Sequence, residues 1–347
     1  MSRLALVMIV RDEARCIARC LESVRPHVDE MIVLDTGSVD DTAAIAASLG
    51  ARVERFDWID DFSAARNAAL DLSDADWNLI LDADDRLVGG AATLADLGRT
   101  PFIGELRIEN TFEGASGAET AVSWALRLLP RGVRYEGRVH EQPVGGALPH
   151  RRLDVSISHD GYEAAQRARK AGRNEALLRA ELATAPDDTY LLFQLGRELQ
   201  AAERWAEAAD YLARAYNGSS QTDRFRHALV VRTLFTLKSA GRHDEALAVT
   251  EMEFERWPHS PDFFFAVGDL YLDWGLHNPD RAVKEALPLV EYCWLRCLEI
   301  GEQPDLEGSV RGRGSWLAAN NLAVFYGTLK LTDKAAEYER LAAALKQ

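Results

Sequence analysis

The chain has 347 residues and a formal net charge of -15 at pH 7. One hydrophobic core rarely organises that much chain, so two domains are expected. The acidic balance argues against a nucleic-acid backbone or an anionic membrane as the main partner.

Leu4 to Val10 predicts the first strand. The run is too short to span a membrane and passes at once into Arg11, Asp12 and Glu13, so it reads as neither secretion signal nor anchor. Glu13 to Val24 predicts a helix with Ile17, Cys20, Leu21 and Val24 on one side. Met31 to Leu34 predicts a second strand ending in Asp35-Thr36-Gly37-Ser38, and Asp41 to Leu49 a helix whose acidic start suits its dipole. Arg52 to Phe56, Phe62 to Leu70 and Trp77 to Leu81 then read as strand, helix and strand. This alternation predicts α/β winding with a mostly parallel sheet. Ligands of such sheets gather at the carboxyl ends of the strands. Those ends carry Arg11 to Glu13, Asp35 to Ser38, Asp57 to Asp61 and Asp82 to Asp85, which places polar residues from four strands at one rim.

The fourth strand discharges directly into Asp82-Ala83-Asp84-Asp85. Alternation along a strand lets Asp82 and Asp84 point the same way, while Asp85 turns toward the following loop. Carboxylates this close repel one another, and a hard divalent cation relieves the repulsion; Mg2+ is usually held by one or two carboxylates with substrate phosphates completing its shell. The pattern points to a nucleoside diphosphate. An acidic turn that caps the next segment is the plainer alternative.

Beyond residue 163 strand signals vanish, and Ala, Leu, Glu and Arg recur in helical periodicity. A repeat of about 34 residues places Leu192, Leu195, Gly196, Leu199, Ala208, Leu212 and Ala215 at the offsets of a tetratricopeptide motif, where small residues let two helices pack closely. Further copies run through Val230, Leu234, Leu237 and Ala246 to Pro258, and around Gly268 and Tyr326. Such arrays leave a concave face free for a peptide or protein, or complete or dimerise the neighbouring domain; homo-oligomerisation therefore stays open. The cysteines fall in two pairs at helical spacing, Cys16 with Cys20 and Cys293 with Cys297, and read as small buried residues rather than as a disulfide or zinc site. A reduced, cytoplasmic protein is expected.

Four segments in order carry a family resemblance: Met8 to Glu13, Val33 to Thr42, Phe56 to Asn67 and Leu81 to Asp85. Residues 1–162 resemble glycosyltransferase family 2, with the GT-A fold, and residues 163–347 a tetratricopeptide-like helical repeat domain. The whole chain is similar to the branch that joins the two and includes the sublancin-type peptide S-glycosyltransferases. The resemblance implies an inverting, metal-dependent glycosyltransferase that uses a nucleotide sugar, UDP-linked, with Mn2+ or Mg2+, and an acceptor that docks on the repeats. It implies that Asp35 accepts from the uracil N–H, that Gly37 and Ser38 let the nucleotide approach, and that Val10 with Asp12 or Glu13 lines the base and ribose pocket.

By the same resemblance Arg66 neutralises the diphosphate and Asn67 bonds it or holds its loop, although Arg66 could equally pair with Asp60 or Asp61. Asp82 serves ribose and metal, Asp84 ligates the metal, and His159, at a strand end in Ile157-Ser158-His159-Asp160-Gly161-Tyr162, is a third ligand. The segment Tyr135 to Glu141 ends in a His-Glu pair, making Glu141 the candidate general base, with His140 and Asp85 as alternatives. A nucleotidyltransferase should carry a glycine-rich phosphate loop after the first strand, and this chain has Arg11-Asp12-Glu13-Ala14-Arg15 there. A degenerate transferase acting as a repeat-based adaptor would have no use for so many clustered carboxylates. Donor sugar and acceptor have no recognisable code in the chain.

Overall fold

The computed structural model describes residues 2–114, 117–159 and 164–346. The chain forms two compact units, Met1–Thr111 with Ser123–Leu177, and Phe112–Val122 with Leu178–Gln347. The expected boundary at 162/163 and the motif residues Asp160, Gly161 and Tyr162 lie outside the described residues.

In the first unit β1 (Leu4–Val10), β2 (Glu30–Asp35), β3 (Arg52–Arg55) and β4 (Trp77–Ile80) run parallel in the order β3-β2-β1-β4. They alternate with α1 (Ile17–Val24), α2 (Thr42–Ser48) and α3 (Phe62–Asp71). Apolar runs buried on both faces are what such a sheet requires. Leu6, Met8 and Leu79 pack with Ile17 and Leu21 of α1 on one side, and Ala5, Val7 and Ile80 with Ala69 and Leu70 of α3 on the other. Cys16 and Cys20 are buried free thiols, as the spacing predicted.

The sheet then continues in mixed directions. β5 (Asp85–Gly89) is followed by the short helix α4 (Ala91–Ala95), the long strands β6 (Ile103–Gly114) and β7 (Gly117–Pro130), the small hairpin β8 (Arg134–Glu136) and β9 (Gln142–Val144), and β10 (His150–His159). β7 lies antiparallel to β4, and β6, β10 and β5 follow outward in that order. β10 pairs antiparallel with β5, and its register sets His159 opposite Asp85. Gly90 closes this pairing: its φ is +81°, and a Cβ there would lie 1.9 Å from the carbonyl oxygen of Asp154. Only glycine fits the turn.

The second unit is built of helices, from α5 (Ala164–Thr184), whose later residues belong to it, through α6 (Thr189–Ala201), α7 (Trp205–Gly218), α8 (Arg226–Ser239), α9 (His243–Glu253) and α10 (Pro261–His277) to the helices Leu287–Ile300, Trp316–Thr328 and Thr332–Leu345. The small residues of the repeat pattern sit where helices touch: a Cβ on Gly196 would meet Leu212 Cδ2 at 2.6 Å, and one on Gly268 would meet Trp294 Nε1 at 2.5 Å. The two-residue strand β11 (Ser309–Val310) pairs with Val122 and Ala121 of β7. No helix among the described residues is long and apolar enough to cross a membrane.

Two polar nodes fix this helical core. Glu253 accepts from Arg226 Nη2 at 2.6 Å, Tyr216 Oη at 2.9 Å and Trp257 Nε1 at 2.8 Å, which joins α7, α8 and α9. His227 bridges Ser260 Oγ and the carbonyl of Glu307, both at 2.7 Å, while Ser260 Oγ accepts from Phe263 N at the start of α10. The carbonyl requires an Nδ1–H donor, and in the neutral ring, which burial favours, Nε2 accepts from the serine hydroxyl. Burial pulls the His227 pKa below its ordinary value. The unfolded chain therefore binds a proton that the folded chain refuses, and stability falls as pH drops below about 6.5. Thermal unfolding between pH 7 and 5 is expected to show a smaller fall in Tm for His227→Gln than for the unaltered chain; parallel curves would contradict the assignment.

Candidate active site

The turns after β1 and β2 are tied together by side chains. Asp35 is buried, and its Oδ1 accepts from the backbone N–H of Gly37 at 3.1 Å and of Ser38 at 2.8 Å. Asp12, at φ +55°, donates its N–H to Ser38 Oγ at 3.0 Å and accepts from Val39 N at 2.8 Å. Glu13 N donates to Thr42 Oγ1 at 2.7 Å, and Val10 closes β1 opposite Asp35. Gly37 has φ +108°, and a Cβ there would meet nothing within 4 Å, so backbone conformation rather than crowding selects glycine. Beside these turns a cleft of about 450 Å³ is lined by Arg11, Thr36, Gly37, Arg55, Phe56, Asp57 and Trp58. It lies at the carboxyl ends of β1, β2 and β3, where a parallel sheet of this kind gathers its ligands.

The neighbouring strand end holds the charged centre. Arg66 of α3 is buried; its Nη2 donates to Asp82 Oδ1 at 2.8 Å and its Nε to Glu141 Oε1. Arg127 of β7 donates to the other Asp82 oxygen at 2.6 Å. Burial opposes the charge on Asp82, but Arg127 and Arg66 outweigh it and hold the carboxyl well below its usual range. Asp60 and Asp61, the alternative partners for Arg66, are engaged locally: Asp60 accepts from Trp58 Nε1 and Asp61 caps α3 through Ala64 N. Asn67 exchanges two bonds with Tyr135, donating to its carbonyl at 2.9 Å and accepting from its N–H at 2.8 Å, and so fastens β8 to α3.

Asp84, Asp85 and His159 form a second, adjoining group whose ligand atoms all lie within 4.8 Å of one another. Asp85 Oδ2 accepts from Asp82 N at 2.8 Å, and its Oδ1 lies 2.8 Å from His159 Nδ1. Both aspartates are buried, and Asp84 Oδ1 lies 3.7 Å from the same imidazole nitrogen. Burial lowers the His159 pKa, yet the hydrogen bond and charge of Asp85, with Asp84 and Asp82, raise it to about 9. Two buried carboxylate oxygens and one imidazole nitrogen are a donor set that suits Mn2+ or Mg2+. Asp82, whose two oxygens are each taken by an arginine, adjoins this group through its backbone N–H.

Arg127 was not anticipated; an arginine within Leu126-Arg127-Leu128 shows only strand alternation. The cleft residues Arg11, Arg55, Phe56 and Trp58 were visible as strand-end residues without an assigned part. His140, at φ +52°, and Glu141 sit in the turn between β8 and β9, and of the two it is Glu141 that meets Arg66.

Residues 5–90 match the glycosyl transferase family 2 model. A TPR repeat-containing protein of Synechococcus elongatus is 37% identical over 225 residues, 59% of this chain and 56% of that protein. The SPbeta prophage-derived glycosyltransferase SunS of Bacillus subtilis is 30% identical over 261 residues, 72% of this chain and 62% of SunS. The matches thus span less than two thirds of these relatives. Among solved structures, glucosyl-3-phosphoglycerate synthase from Mycobacterium tuberculosis, in complex with Mn2+, UDP and glucosyl-3-phosphoglycerate, aligns at 24% identity and a TM-score of 0.27 over 31% of this chain and 44% of that one.

Asp82 is a counter-charge for two arginines, so Asp82→Ala takes the ion-pair partner from Arg127 and leaves Arg66 with Glu141 alone. A loss on the order of 3 kcal/mol is expected from chemical denaturation. A change within about 0.5 kcal/mol, the size of an ordinary surface substitution, would contradict that role for Asp82.

Proposed function

We propose that the chain is an inverting, metal-dependent glycosyltransferase that moves a sugar from a UDP-linked donor to a peptide or protein acceptor. The observation that carries this reading is the β5–β10 register, which sets His159 on Asp84 and Asp85 at the same rim as the cleft beside Asp35. The similarity to a named glycosyltransferase over 72% of the chain supports the same reaction class.

In this reading Val10, Asp12, Glu13, Asp35, Gly37 and Ser38 frame the base and ribose. Asp35 spends Oδ1 on its own turn and offers Oδ2 to a base N–H, and Phe56 and Trp58 supply aromatic faces in the cleft. Asp84, Asp85 and His159 would hold Mn2+ or Mg2+, which supplies Lewis-acid stabilisation of a leaving diphosphate. Asp82 orients Arg66 and Arg127, and Asn67 holds the strand that leads to Glu141.

Glu141 is the general base. Arg66 Nε fixes its Oε1, leaving Oε2 to take the acceptor proton. Asp85 is less suited, because it belongs to the cation-holding set and its Oδ2 already accepts from the Asp82 N–H. As the acceptor heteroatom loses its proton to Glu141 it bonds to the anomeric carbon from the face opposite the diphosphate. The carbon–oxygen bond to phosphate breaks, and UDP leaves with the electron pair.

The helical unit supplies an acceptor surface. A groove of about 980 Å³ between α9, α10 and the helix Leu287–Ile300 is walled by Leu247, Met252, Phe254 and Tyr271, and its edge carries four carboxylates, Asp244, Glu251, Glu255 and Glu285, against the two cations Arg256 and Arg281. Its chemistry suits an acceptor segment with apolar and basic side chains.

Asp84→Asn is expected to lower Mn2+-dependent hydrolysis of a UDP-sugar at least about 100-fold with an unchanged circular dichroism spectrum; undiminished turnover would overturn the metal assignment. Met252→Glu, on an exposed groove residue, should reduce transfer to a peptide acceptor while donor hydrolysis persists. Equal loss of both activities would count against acceptor docking there.

A further inference from the structure

The helical unit contains a second set of metal-ligating side chains, remote in sequence from the rim residues. His243 opens α9, and Asp273 and His277 lie four residues apart near the end of α10, a spacing that puts both on one helix face. His243 Nε2 lies 2.6 Å from Asp273 Oδ2, and His277 Nδ1 lies 3.8 Å from that same oxygen. The imidazole rings sit 4.9 Å apart, and one ligand atom from each of the three residues falls within 4.8 Å of the others. His243 is hydrogen-bonded to the carboxylate, and the His277 ring, bonded to the Asp273 carbonyl, stands beside the same oxygen.

We propose that His243, Asp273 and His277 bind a borderline divalent transition cation, of the zinc type, that clips α9 to α10. Two imidazole nitrogens and one carboxylate oxygen favour such a cation over Mg2+. The set differs from the rim group, where carboxylates outnumber imidazole. The His243 side chain is 13% exposed and that of His277 63%, so the site is anchored on one side and open on the other, with an entry path and room for water in the remaining position. His277 Nδ1 is 2.9 Å from the carbonyl of Asp273, one turn back, and the ring turns about its side-chain bonds to exchange that contact for the cation. The bound ion bridges the first turn of α9 and the last turns of α10 and reinforces the His243–Asp273 bond that already joins them. Because the ion binds the folded chain, it stabilises the unit increasingly as free cation rises above its dissociation constant.

The test uses Zn2+ alone with the full chain, in the Asp84→Asn background so that the rim group does not compete. Equilibrium dialysis and thermal unfolding are compared between that variant and the same variant carrying His277→Ala. His277 is exposed near a helix end, so the substitution spares the fold, which circular dichroism checks. Zinc affinity is expected to fall at least about tenfold on removal of His277, and the zinc-dependent rise in Tm to disappear. Equal affinity and equal Tm gain in the two variants would overturn the proposal, as would zinc binding that vanishes with Asp84→Asn alone.

Discussion

Two guanidinium groups meet on one carboxylate at the end of β4, and the arrangement of the rim follows from that meeting. Asp82 draws Arg66 from α3 and Arg127 from β7 onto its two oxygens, and Arg66 carries the linkage on to Glu141. The backbone N–H of Asp82 fixes Asp85, which in turn engages His159 across the β5–β10 pairing. A three-aspartate run that would otherwise repel itself is thereby divided. One carboxylate is neutralised by arginines, and two face an imidazole. Counting Glu141, four carboxylates face three cationic groups when His159 is protonated, so the centre retains negative charge. A divalent cation would relieve that imbalance, His159 giving up its proton on ligating it.

Much of this was legible in the chain, for definable reasons. The parallel strands announce themselves as apolar runs, since a sheet covered by helices on both faces admits little else. The polar residues that end those runs had to lie at one rim once the strands were parallel. The helical repeats were readable from glycines such as Gly196 and Gly268, whose neighbours leave no room for a Cβ. What local pattern does not encode is pairing between distant segments. The contact of Asp85 with His159 spans 74 residues and depends on the register of two antiparallel strands. Arg127 is invisible for the same reason: nothing near it in sequence says that its strand lies beside β4. Asn67 could be read either as a ligand or as a loop anchor, and its two bonds to Tyr135, 68 residues away, are of the kind that local pattern does not encode.

The helical unit solves a related problem by burial. Arg226 and Glu253 form an ion pair that is almost wholly inaccessible, and Tyr216 and Trp257 donate to Glu253 while Ser219 accepts from Arg226. Burying such a pair gains little net energy, but losing either partner is costly, so it specifies how the three helices meet. The helices keep their apolar surface inward at these contacts and leave a groove between α9 and α10 whose edge carries more carboxylates than arginines. The first unit thus concentrates titratable chemistry at strand ends, whereas the second offers shape and surface charge.

Everything proposed for the rim rests on its binding a nucleoside diphosphate through a cation. Calorimetric titration of the unaltered chain with UDP, in Mn2+ and again in excess EDTA, probes that step without reference to sugar or acceptor. Saturable UDP binding in Mn2+ that is lost in EDTA is expected. UDP binding of equal affinity in both, or none in either, would contradict it.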